Sequence, residues 1–430
     1  MIQTVCTPAP LTGTIRLPGD KSISHRYAML AAIAEDRSEL HGFARGRDCL
    51  STLRCLRALG VAVAERESSV VIEGRGLRGL RRPAQLLDAG NSGTTMRLLA
   101  GILAGQPIEC TLTGDDSLSR RPMERIIRPL RLMGAAVDSG ESGRPPLTIR
   151  GGRLSAIRYE LPVASAQVKS CVILAGLFAR GMTSVRETIP TRDHTEIALR
   201  HFGAAVHADG EWVHVEPDPS LRGRQLEVPA DLSSAAFMMV AAALIPGSDI
   251  VLPAVGMNRR RRALLTYLRR AGADITVQNE REAAGEPRGD LRVRYSTSFL
   301  REALPTIGGE DVAALIDEIP VLAVLGSQIA GGLEVTGAQE LRFKESDRIA
   351  ALAAGLRAMG AGIDELPDGF RVRGAQRLRG ADIITHGDHR IAMAFAIAGM
   401  AAEGETRIHD AGCADVSFPG FWDIFEAQKP

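Results

Sequence analysis

A short segment, LRALGV at 56–61, recurs four more times along the chain. It returns as LRLMGA at 130–135, LRHFGA at 199–204, LRRAGA at 268–273 and LRAMGA at 356–361, at intervals of 69 to 88 residues. In each copy a glycine follows a helix-forming stretch, and glycine readily adopts the left-handed conformation that ends a helix. Residues typical of β-strands come next. The segment therefore predicts, five times, the end of a helix followed by a strand.

A second set of helices is predicted between these copies, because runs of small apolar residues follow short polar stretches. Their predicted starts lie near Ser22, Ser92, Ser165, Ser233, Pro320 and His389. Apolar residues on every side of a helix indicate that it is buried. Two helices and several strands in about 70 residues exceed the size of common solenoid repeats. The pattern predicts a mixed α/β (α+β) fold.

The repeats also predict the domain organisation. Six helix pairs divide into two similar halves of three units each, but only five pairs have the return segment. Because residues 1–19 precede the first buried helix and lack a helix of their own, we expect them to complete the last unit. This predicts one domain over 20–229 and a second over 1–19 plus 230–430, with two crossover segments between them.

Composition excludes several classes of function. The 430 residues carry a net charge of +1, and only 4 Tyr and 2 Trp are present. This argues against a basic nucleic-acid surface and against an aromatic platform for single strands. The six cysteines include no C-x-x-C pair, so neither a zinc site nor a disulfide framework is expected. The chain shows no signal peptide and no apolar stretch of membrane-spanning length, so we expect a cytoplasmic protein.

Cations and hydroxyl groups gather where the apolar helices begin. Repeat symmetry would bring these helix starts to the same end of each half, and helix N-termini attract anions. Taken alone, each segment also fits an ordinary helix cap or a solvated ion pair; Lys344 and Arg348, for example, are spaced for one helical face, and 191–195 resembles a cap. The pattern G-x-x-x-x-G-K-[ST] does not occur, so a P-loop nucleotide fold is not indicated. Together the segments predict a shared site for anionic ligands.

Six segments, read in order, resemble one known family. They are LPGDKSISHR, NSGTTMR, RRPMERI, SAQVKS, KESDR and GDHRIAMAF. They closely resemble the EPSP synthases (3-phosphoshikimate 1-carboxyvinyltransferases) of the enolpyruvyl transferase family, over about Leu17 to Pro419. SAQVKS and DEIP are similar to the second class of the family, which includes glyphosate-tolerant members. The resemblance implies two domains, each of three βαβαββ units, in an inside-out α/β barrel.

The same resemblance implies the reaction. The enolpyruvyl group of phosphoenolpyruvate passes to the 5-hydroxyl of shikimate 3-phosphate, giving 5-enolpyruvylshikimate 3-phosphate and phosphate, in the shikimate pathway to chorismate and the aromatic amino acids. No cofactor and no metal are implied. The expected partners are the two small-molecule substrates, without nucleic acid or membrane, and the expected state is a monomer.

The resemblance also assigns roles to individual residues. Those matching catalytic positions are Asp317 as the base for the 5-hydroxyl, Lys21, and Glu345 as a proton relay. Those matching the shikimate 3-phosphate site are Lys21, Ser22, Arg26, Ser165, Gln167, Arg192, Asp317 and Lys344. Those matching the phosphoenolpyruvate site are Lys21, Gly93, Arg121, Gln167, Arg348 and Arg390.

Four positions differ from residues that are common in other members of the family. Ala166 stands where many first-class members have a second serine, and Val416 stands where many have a lysine. Tolerant second-class members carry alanine where this chain has Gly93, which predicts sensitivity to glyphosate, whereas Leu98 stands where many sensitive members have proline.

Two rival functions remain open at this point. One is a UDP-N-acetylglucosamine 1-carboxyvinyltransferase, which shares the fold and the donor and usually has a cysteine at the spacing that Asp116 occupies here. The other is a non-enzymatic protein that binds anions or RNA ends, which the low aromatic count and near-zero net charge disfavour.

Overall fold

The computed structural model describes residues 1–6 and 9–426. Over these residues the helices are α1 (Lys21–Ile33), α2 (Arg47–Ala58), α3 (Gly93–Ala104), α4 (Asp116–Ser119), α5 (Glu124–Leu132), α6 (Ala166–Gly176), α7 (His194–Phe202), α8 (Leu232–Leu244), α9 (Ala263–Arg270), α10 (Glu310–Leu315), α11 (Ile319–Gln328), α12 (Arg348–Ala358), α13 (His389–Met400) and α14 (Phe421–Glu426). Short 3₁₀ helices lie at Glu141–Gly143, Phe299–Arg301, Gln339–Phe343 and Ala411–Val416.

The strands over the same residues are short, and most have two to five residues. They are β1 (Ile2–Val5), β2 (Thr12–Thr14), β3 (Arg37–His41), β4 (Ala62–Glu65), β5 (Ser69–Glu73), β6 (Leu87–Asp88), β7 (Glu109–Thr113), β8 (Ala136–Ser139), β9 (Leu147–Arg150), β10 (Leu154–Ser155), β11 (Arg158–Glu160), β12 (Ala179–Arg180), β13 (Thr183–Arg186), β14 (Val206–Asp209), β15 (Trp212–Val215), β16 (Gln225–Glu227), β17 (Asp249–Gly256), β18 (Asp274–Ala283), β19 (Glu286–Arg294), β20 (Leu333–Val335), β21 (Ile363–Leu366), β22 (Gly369–Val372), β23 (Asp382–Ile384) and β24 (Thr406–His409). The fold is therefore mixed α/β.

The chain divides into two compact units. The first unit consists of Gly19–Val228 with Glu282–Glu286, and the second consists of Met1–Pro18, Pro229–Arg281 and Pro287–Pro430. The predicted second domain includes 282–286, which the structure places in the first unit. Residues 7–8 and 427–430 of the predicted second domain lie outside the described residues.

The predicted apolar helices form the centre of each unit. In α8 all thirteen residues are buried, and in α1 every residue from Ile23 to Ile33 is buried. The helices α1, α3, α6, α8 and α13 begin after a residue whose side chain accepts a backbone N–H, namely Asp20, Ser92, Ser165, Asp231 and Asp388. Such caps satisfy donors that a helix start leaves unpaired. Helix α11 instead begins with a proline in its first turn. All six starts lie within two residues of the predicted positions.

The amphipathic helices end as the repeated segment predicts. Helices α2, α5, α7, α9 and α12 are followed by Gly60, Gly134, Gly203, Gly272 and Gly360, and all five glycines have φ between +84° and +107°. A strand follows each glycine: β4, β8, β14, β18 and β21 respectively. The prediction of a left-handed helix end followed by a strand is therefore confirmed in all five copies.

Three sheets of the first unit repeat one topology. Their strand orders are β16-β3-β5-β4, β6-β7-β9-β8 and β11-β13-β15-β14. In each sheet the first pair is parallel and the next two pairs are antiparallel. In the second unit the corresponding sheets are β2-β17-β19-β18, β20-β22-β21 and β23-β24-β1.

The N-terminal strands differ in part from the expectation. Strand β1 pairs antiparallel with β24, with Val5 opposite Thr406, and so extends the last sheet as expected. Strand β2 instead pairs in parallel with β17, with Thr12 opposite Asp249. The expectation that all of residues 1–19 complete the last unit is therefore wrong for β2.

Candidate active site

The start of α1 places Lys21 beside a buried carboxylate of the first unit. Asp20 caps the helix by accepting the backbone N–H of Ile23 at 2.9 Å. The Nζ of Lys21, the first helical residue, lies 3.0 Å from Oδ2 of Asp48 in α2. The side chains of Lys21 and Asp48 are 17% and 6% exposed. Lys21 therefore has a fixed direction and retains contact with solvent at the helix N-terminus, where an anion is favoured.

Arg26 is buried one turn further along α1. Its Nε donates to Oγ1 of Thr195 at 2.7 Å, Nη1 donates to the carbonyl of Ser22 at 2.8 Å, and Nη2 donates to Oγ of Ser170 at 3.0 Å. Burial lowers the pKa of Arg26 to about 10, although Glu196 and Asp20 act in the opposite direction. The guanidinium therefore stays charged at neutral pH with its plane fixed by three elements.

His25 lies between Lys21 and Arg26 in the chain sequence and faces the protein interior. It is fully buried, and its Nδ1 lies 2.7 Å from Oγ1 of Thr52. Burial lowers the pKa of His25 well below 6.5, and Lys21 and Arg26 lower it further. The imidazole is therefore neutral in the folded protein at neutral pH.

This depressed pKa predicts a loss of stability in acid. Below the unfolded pKa of about 6.5 the unfolded chain binds a proton at His25 that the folded chain does not, so stability falls as the pH falls. The slope approaches about 1.4 kcal/mol per pH unit for one proton. We expect urea midpoints measured at about pH 7.5 and about pH 5.5 to drop more for the parent than for His25→Asn. An equal drop in both proteins would show that His25 does not contribute.

A second group of polar side chains surrounds the start of α3. Gln167 of α6 accepts from Nη1 of Arg97 and donates to Oγ1 of Thr94 at 2.9 Å. Arg121 is 7% exposed and donates through Nη2 to Oδ1 of Asn91 at 2.7 Å. A methyl group built on Gly93 would lie 3.2 Å from Nη1 of Arg97 and 3.4 Å from Nη1 of Arg121. The structure therefore brings together the predicted residues Gly93, Arg121 and Gln167.

Ser165 and Arg192 complete the predicted residues of the first unit. Ser165 caps α6 by accepting the N–H of Val168 at 3.4 Å. Arg192 is half-buried in the loop that precedes α7. The cap expected from 191–195 is absent, since the N-cap residue Asp193 makes no side-chain capping bond. Instead, Thr191 donates its backbone N–H to Glu187 at 3.0 Å, so a carboxylate four residues earlier holds this loop.

In the second unit, a buried ion cluster links the starts of α12 and α13. Arg348 is 1% exposed and donates through Nε to Oδ2 of Asp388 at 2.8 Å and through Nη2 to Oε2 of Glu345 at 2.5 Å. Burial alone would lower the pKa of Arg348, but Asp388, Glu345 and Asp317 raise it overall. Burial would raise the pKa of Asp388, but Arg348 keeps it below its ordinary value. Both groups are therefore ionised at neutral pH.

Asp317 lies beside two guanidinium groups of this cluster. Its Oδ1 is 3.7 Å from Nη1 of Arg348 and 3.8 Å from Nε of Arg390. Arg390 also donates to the backbone carbonyl of Asp317 at 2.6 Å. The Asp317 side chain is 17% exposed. The second unit therefore presents one partly exposed carboxylate held between two cations, an arrangement suited to accepting a proton near an anionic ligand.

Lys344 does not share a helical face with Arg348. Asp347 caps α12 by accepting the N–H of Ala350 at 3.0 Å, so the helix begins at Arg348. Lys344 therefore lies before the helix, directly after the 3₁₀ helix Gln339–Phe343, with an extended backbone. The interpretation of Lys344 and Arg348 as an i,i+4 pair on one helix is wrong.

Sequence reasoning missed three residues that the structure adds to these groups. They are Asp48 beside Lys21, Arg97 beside Gln167, and Asp388 beside Arg348. Position gives a usable signal for Arg97, which lies in the first turns of an otherwise apolar helix, and for Asp388, which immediately precedes one. Asp48 lies on an amphipathic helix, where a charged residue is ordinary.

Neither a metal-ligand cluster nor a membrane-spanning helix occurs in the part of the chain that the structure describes. Within residues 1–6 and 9–426, no group of three or more His, Cys, Asp or Glu side chains is arranged to hold a metal ion. Every helix in the described part of the chain is too short or too polar to serve as a bilayer span.

Several known proteins similar to this chain share the name 3-phosphoshikimate 1-carboxyvinyltransferase. A family model described as EPSP synthase (3-phosphoshikimate 1-carboxyvinyltransferase) matches residues 5–425. A 3-phosphoshikimate 1-carboxyvinyltransferase from Solibacter usitatus is 50% identical and covers 99% of each chain. Another from Alkalilimnicola ehrlichii is 52% identical over 96% of this chain and 92% of its own.

Solved structures give the same result. EPSP synthase from Acinetobacter baumannii matches with a TM-score of 0.87 at 44% identity, covering 100% of this chain and 98% of that one. At this sequence identity and coverage, the similarity indicates a shared family and not only a shared fold. The chain therefore belongs to the EPSP synthase family, whose members are transferases that catalyse enolpyruvyl transfer in the shikimate pathway.

Proposed function

We propose that this chain transfers the enolpyruvyl group of phosphoenolpyruvate to the 5-hydroxyl of shikimate 3-phosphate and releases phosphate. The observation that best supports the proposal is the position of Asp317, whose Oδ1 lies within 4 Å of Arg348 and Arg390 in the second unit. A carboxylate so placed can take a proton from a hydroxyl, while the two cations bind an anionic donor.

The acceptor substrate is assigned chiefly to residues at helix starts of the first unit. The residues we assign to shikimate 3-phosphate are Lys21, Ser22, Arg26, Ser165, Gln167, Arg192, Asp317 and Lys344. Lysine, arginine and hydroxyl groups supply charge-assisted hydrogen bonds to phosphate. The N-termini of α1 and α6 add the partial positive charge of their backbone N–H groups.

The donor substrate is assigned to a second set of cations. We assign phosphoenolpyruvate to Lys21, Gly93, Arg121, Gln167, Arg348 and Arg390. Two highly anionic substrates have to be held close together, and these cations offset their mutual repulsion. Gly93 contributes by the absence of a side chain, since it leaves the space in front of Arg97 and Arg121 open.

The proposed chemistry is an addition followed by an elimination. Asp317 removes the proton of the 5-hydroxyl, the hydroxyl oxygen bonds to C2 of phosphoenolpyruvate, and its methylene carbon gains a proton. The tetrahedral intermediate then loses a proton from the resulting methyl group and expels phosphate by cleavage of the C2–O bond. Glu345 is the proposed proton relay, and the ammonium of Lys21 stabilises the negative charge of both substrates. Oxidation states are unchanged overall, so a redox cofactor is not needed.

Comparing two acceptors provides the direct test of this function. Purified protein is supplied with phosphoenolpyruvate and either shikimate 3-phosphate or UDP-N-acetylglucosamine, and phosphate release is followed. We expect turnover with shikimate 3-phosphate only. Turnover with the nucleotide sugar would assign the chain to the rival transferase, and ligand binding without phosphate release would favour the non-enzymatic alternative.

Metal removal gives a separate prediction. Because arginine and lysine side chains provide the positive charge of the proposed site, we expect enzyme treated with EDTA to retain its full turnover. The measurement compares initial rates before and after exhaustive dialysis against the chelator. A loss of activity that a divalent ion restores would reveal an essential metal.

We further propose that each unit consists of three βαβαββ repeats, arranged as an inside-out α/β barrel with the apolar helices inside. The common strand order of the three sheets in the first unit supports this organisation. The proposed three-repeat domains are 20–229 and 1–19 plus 230–430, with two crossover segments between them. The chain is proposed to act as a cytoplasmic monomer.

A further inference from the structure

Lys169 of α6 is an ammonium group with no exposed surface. Its Nζ lies 2.9 Å from Oε2 of Glu187 and 2.6 Å from Oε1 of Glu196, and both carboxylate side chains are 4% exposed. Lysine and glutamate are seldom buried unless they are paired. Well-packed apolar residues often stabilise a fold as much as a buried ion pair does. The three residues, here called the Lys169 triad, therefore call for an explanation other than stability.

Two paths of hydrogen bonds lead from the triad to arginines of the proposed site, and each is here called a limb. The Arg192 limb fixes the loop that carries Arg192. The second carboxylate oxygen of Glu187, Oε1, accepts the backbone N–H of Thr191 at 3.0 Å and also accepts the Thr191 hydroxyl. Thr191 is 7% exposed and directly precedes Arg192. Lys169 thus fixes the carboxylate that sets the backbone conformation just before Arg192.

The second path, the Arg26 limb, leads from the triad to Arg26. Glu196 follows Thr195 in the first turn of α7, and Lys169 precedes Ser170 in α6. The hydroxyls of Thr195 and Ser170 lie 2.6 Å apart and accept from Nε and Nη2 of Arg26. The residues that hold the guanidinium are therefore the chain neighbours of two members of the triad.

The remaining N–H donors of Arg26 indicate which kind of ligand group the guanidinium can bind. A guanidinium has five N–H donors. Among the described residues, three are used by Thr195, Ser170 and the Ser22 carbonyl. This leaves one N–H on Nη1 and one on Nη2 that can donate to the oxygens of a phosphate or carboxylate.

We propose that the Lys169 triad positions the acceptor-binding arginines. It acts through Glu187 and Thr191 on Arg192, and through Glu196, Thr195 and Ser170 on Arg26. None of the triad residues touches substrate in this proposal. The inference rests on the proposed function, in which Arg26 and Arg192 bind shikimate 3-phosphate, and it assigns the triad to that substrate and not to phosphoenolpyruvate.

The test removes single hydroxyl groups, because Lys169→Met would leave two buried carboxylates without their ammonium and is expected to impair folding. Thr191→Val weakens the Arg192 limb, because it removes the hydroxyl contact to Glu187 and keeps the backbone N–H contact. Thr195→Val interrupts the Arg26 limb, because it removes the hydroxyl that accepts from Nε of Arg26. Thr111→Val is the matched control, since it deletes a hydroxyl that lies 2.9 Å from Oγ1 of Thr148 between β7 and β9 of the same unit.

Each limb variant should raise the Kd for shikimate 3-phosphate by about tenfold, as expected for the loss of a hydrogen bond involving a charged group. The Kd is measured by calorimetry on the full chain, and the KM for phosphoenolpyruvate is measured at saturating acceptor. We expect that KM to stay within about twofold of the parent, the thermal midpoint to change little, and Thr111→Val to match the parent in every respect.

Two results would overturn the proposal. One is an unchanged Kd for shikimate 3-phosphate in both limb variants while they remain folded. The other is an equal rise of both substrate constants, which would indicate general loosening of the unit. Failure of the proposed function looks different, because the parent protein itself would then neither bind shikimate 3-phosphate nor release phosphate.

Discussion

Lys21→Met is expected to reduce turnover by about a thousandfold while the protein remains folded. Removing a single preorganised donor from a charge-stabilising site commonly costs about 10² to 10³ in kcat, and Lys21 is proposed to serve both substrates. Its Nζ lies at the N-terminus of α1, where the Asp48 carboxylate fixes its direction. The expected loss therefore lies at the upper end of that range.

The measurement is kcat and kcat/KM for both substrates, with circular dichroism and a thermal scan to establish folding. Lys21→Met also removes the ammonium that lies 3.0 Å from the nearly buried Asp48 carboxylate, so we expect a lower melting temperature. Asp48→Asn is the control for that change, because it alters the ion pair and keeps Lys21. Near-normal kcat/KM in Lys21→Met would remove Lys21 from the mechanism.

Local signals in the sequence predicted the helices well. The glycine of each LR-x-x-G segment ends a helix, because only a residue without a side chain adopts φ near +90° at low cost. The buried helices were likewise recognisable, because apolar residues occupy every side of them. Both signals depend on neighbours within a few residues, which is why they could be read without a structure.

Strand partners and ion pairs were less predictable, since they depend on residues far apart in the chain. Strand β2 pairs with β17, more than 200 residues away, and nothing in the sequence of β2 specifies that partner. The Lys169 triad is similar, because Lys169 pairs with Glu187 and Glu196, which lie 18 and 27 residues further along the chain. The Lys344 error has a local cause, because Asp347 caps α12 and the helix begins only at Arg348.

The candidate site residues also divide into those that the sequence predicted and those that only the structure revealed. Arg348, Arg390 and Asp317 were named from the family resemblance, and the structure places them together. Spacing alone would not have joined them, because they belong to three separate helix starts. The residues that hold them, such as Asp388, could be expected only as helix caps.

The second large effect is expected at Gly93. A methyl group there would lie 3.2 Å from Nη1 of Arg97, so that guanidinium would have to move by a few tenths of an ångström, and 3.4 Å from Nη1 of Arg121, at the lower limit of ordinary contact. Glyphosate, the phosphonomethyl glycine that competes with phosphoenolpyruvate in this family, is longer than the substrate. Overpacking of this kind costs about 1 to 3 kcal/mol, or about 5- to 150-fold in affinity.

We therefore expect the parent to be inhibited by glyphosate and Gly93→Ala to weaken that inhibition by about a hundredfold. The KM for phosphoenolpyruvate should rise by about tenfold or less, because the shorter ligand leaves room for Arg121 to shift. The measurement is inhibition at varied phosphoenolpyruvate. Gly152→Ala is the matched control, since a methyl group at Gly152 meets nothing within 4 Å.

Two other outcomes would assign the effect elsewhere. If Gly93→Ala weakens the binding of glyphosate and of phosphoenolpyruvate equally, the methyl group acts by displacing the neighbouring guanidinium groups and does not discriminate by ligand length. If the parent is already insensitive, Gly93 does not determine the response. Leu98, which is fully buried five residues further along α3, then becomes the position to test, because a change in its packing shifts the helix that presents Gly93.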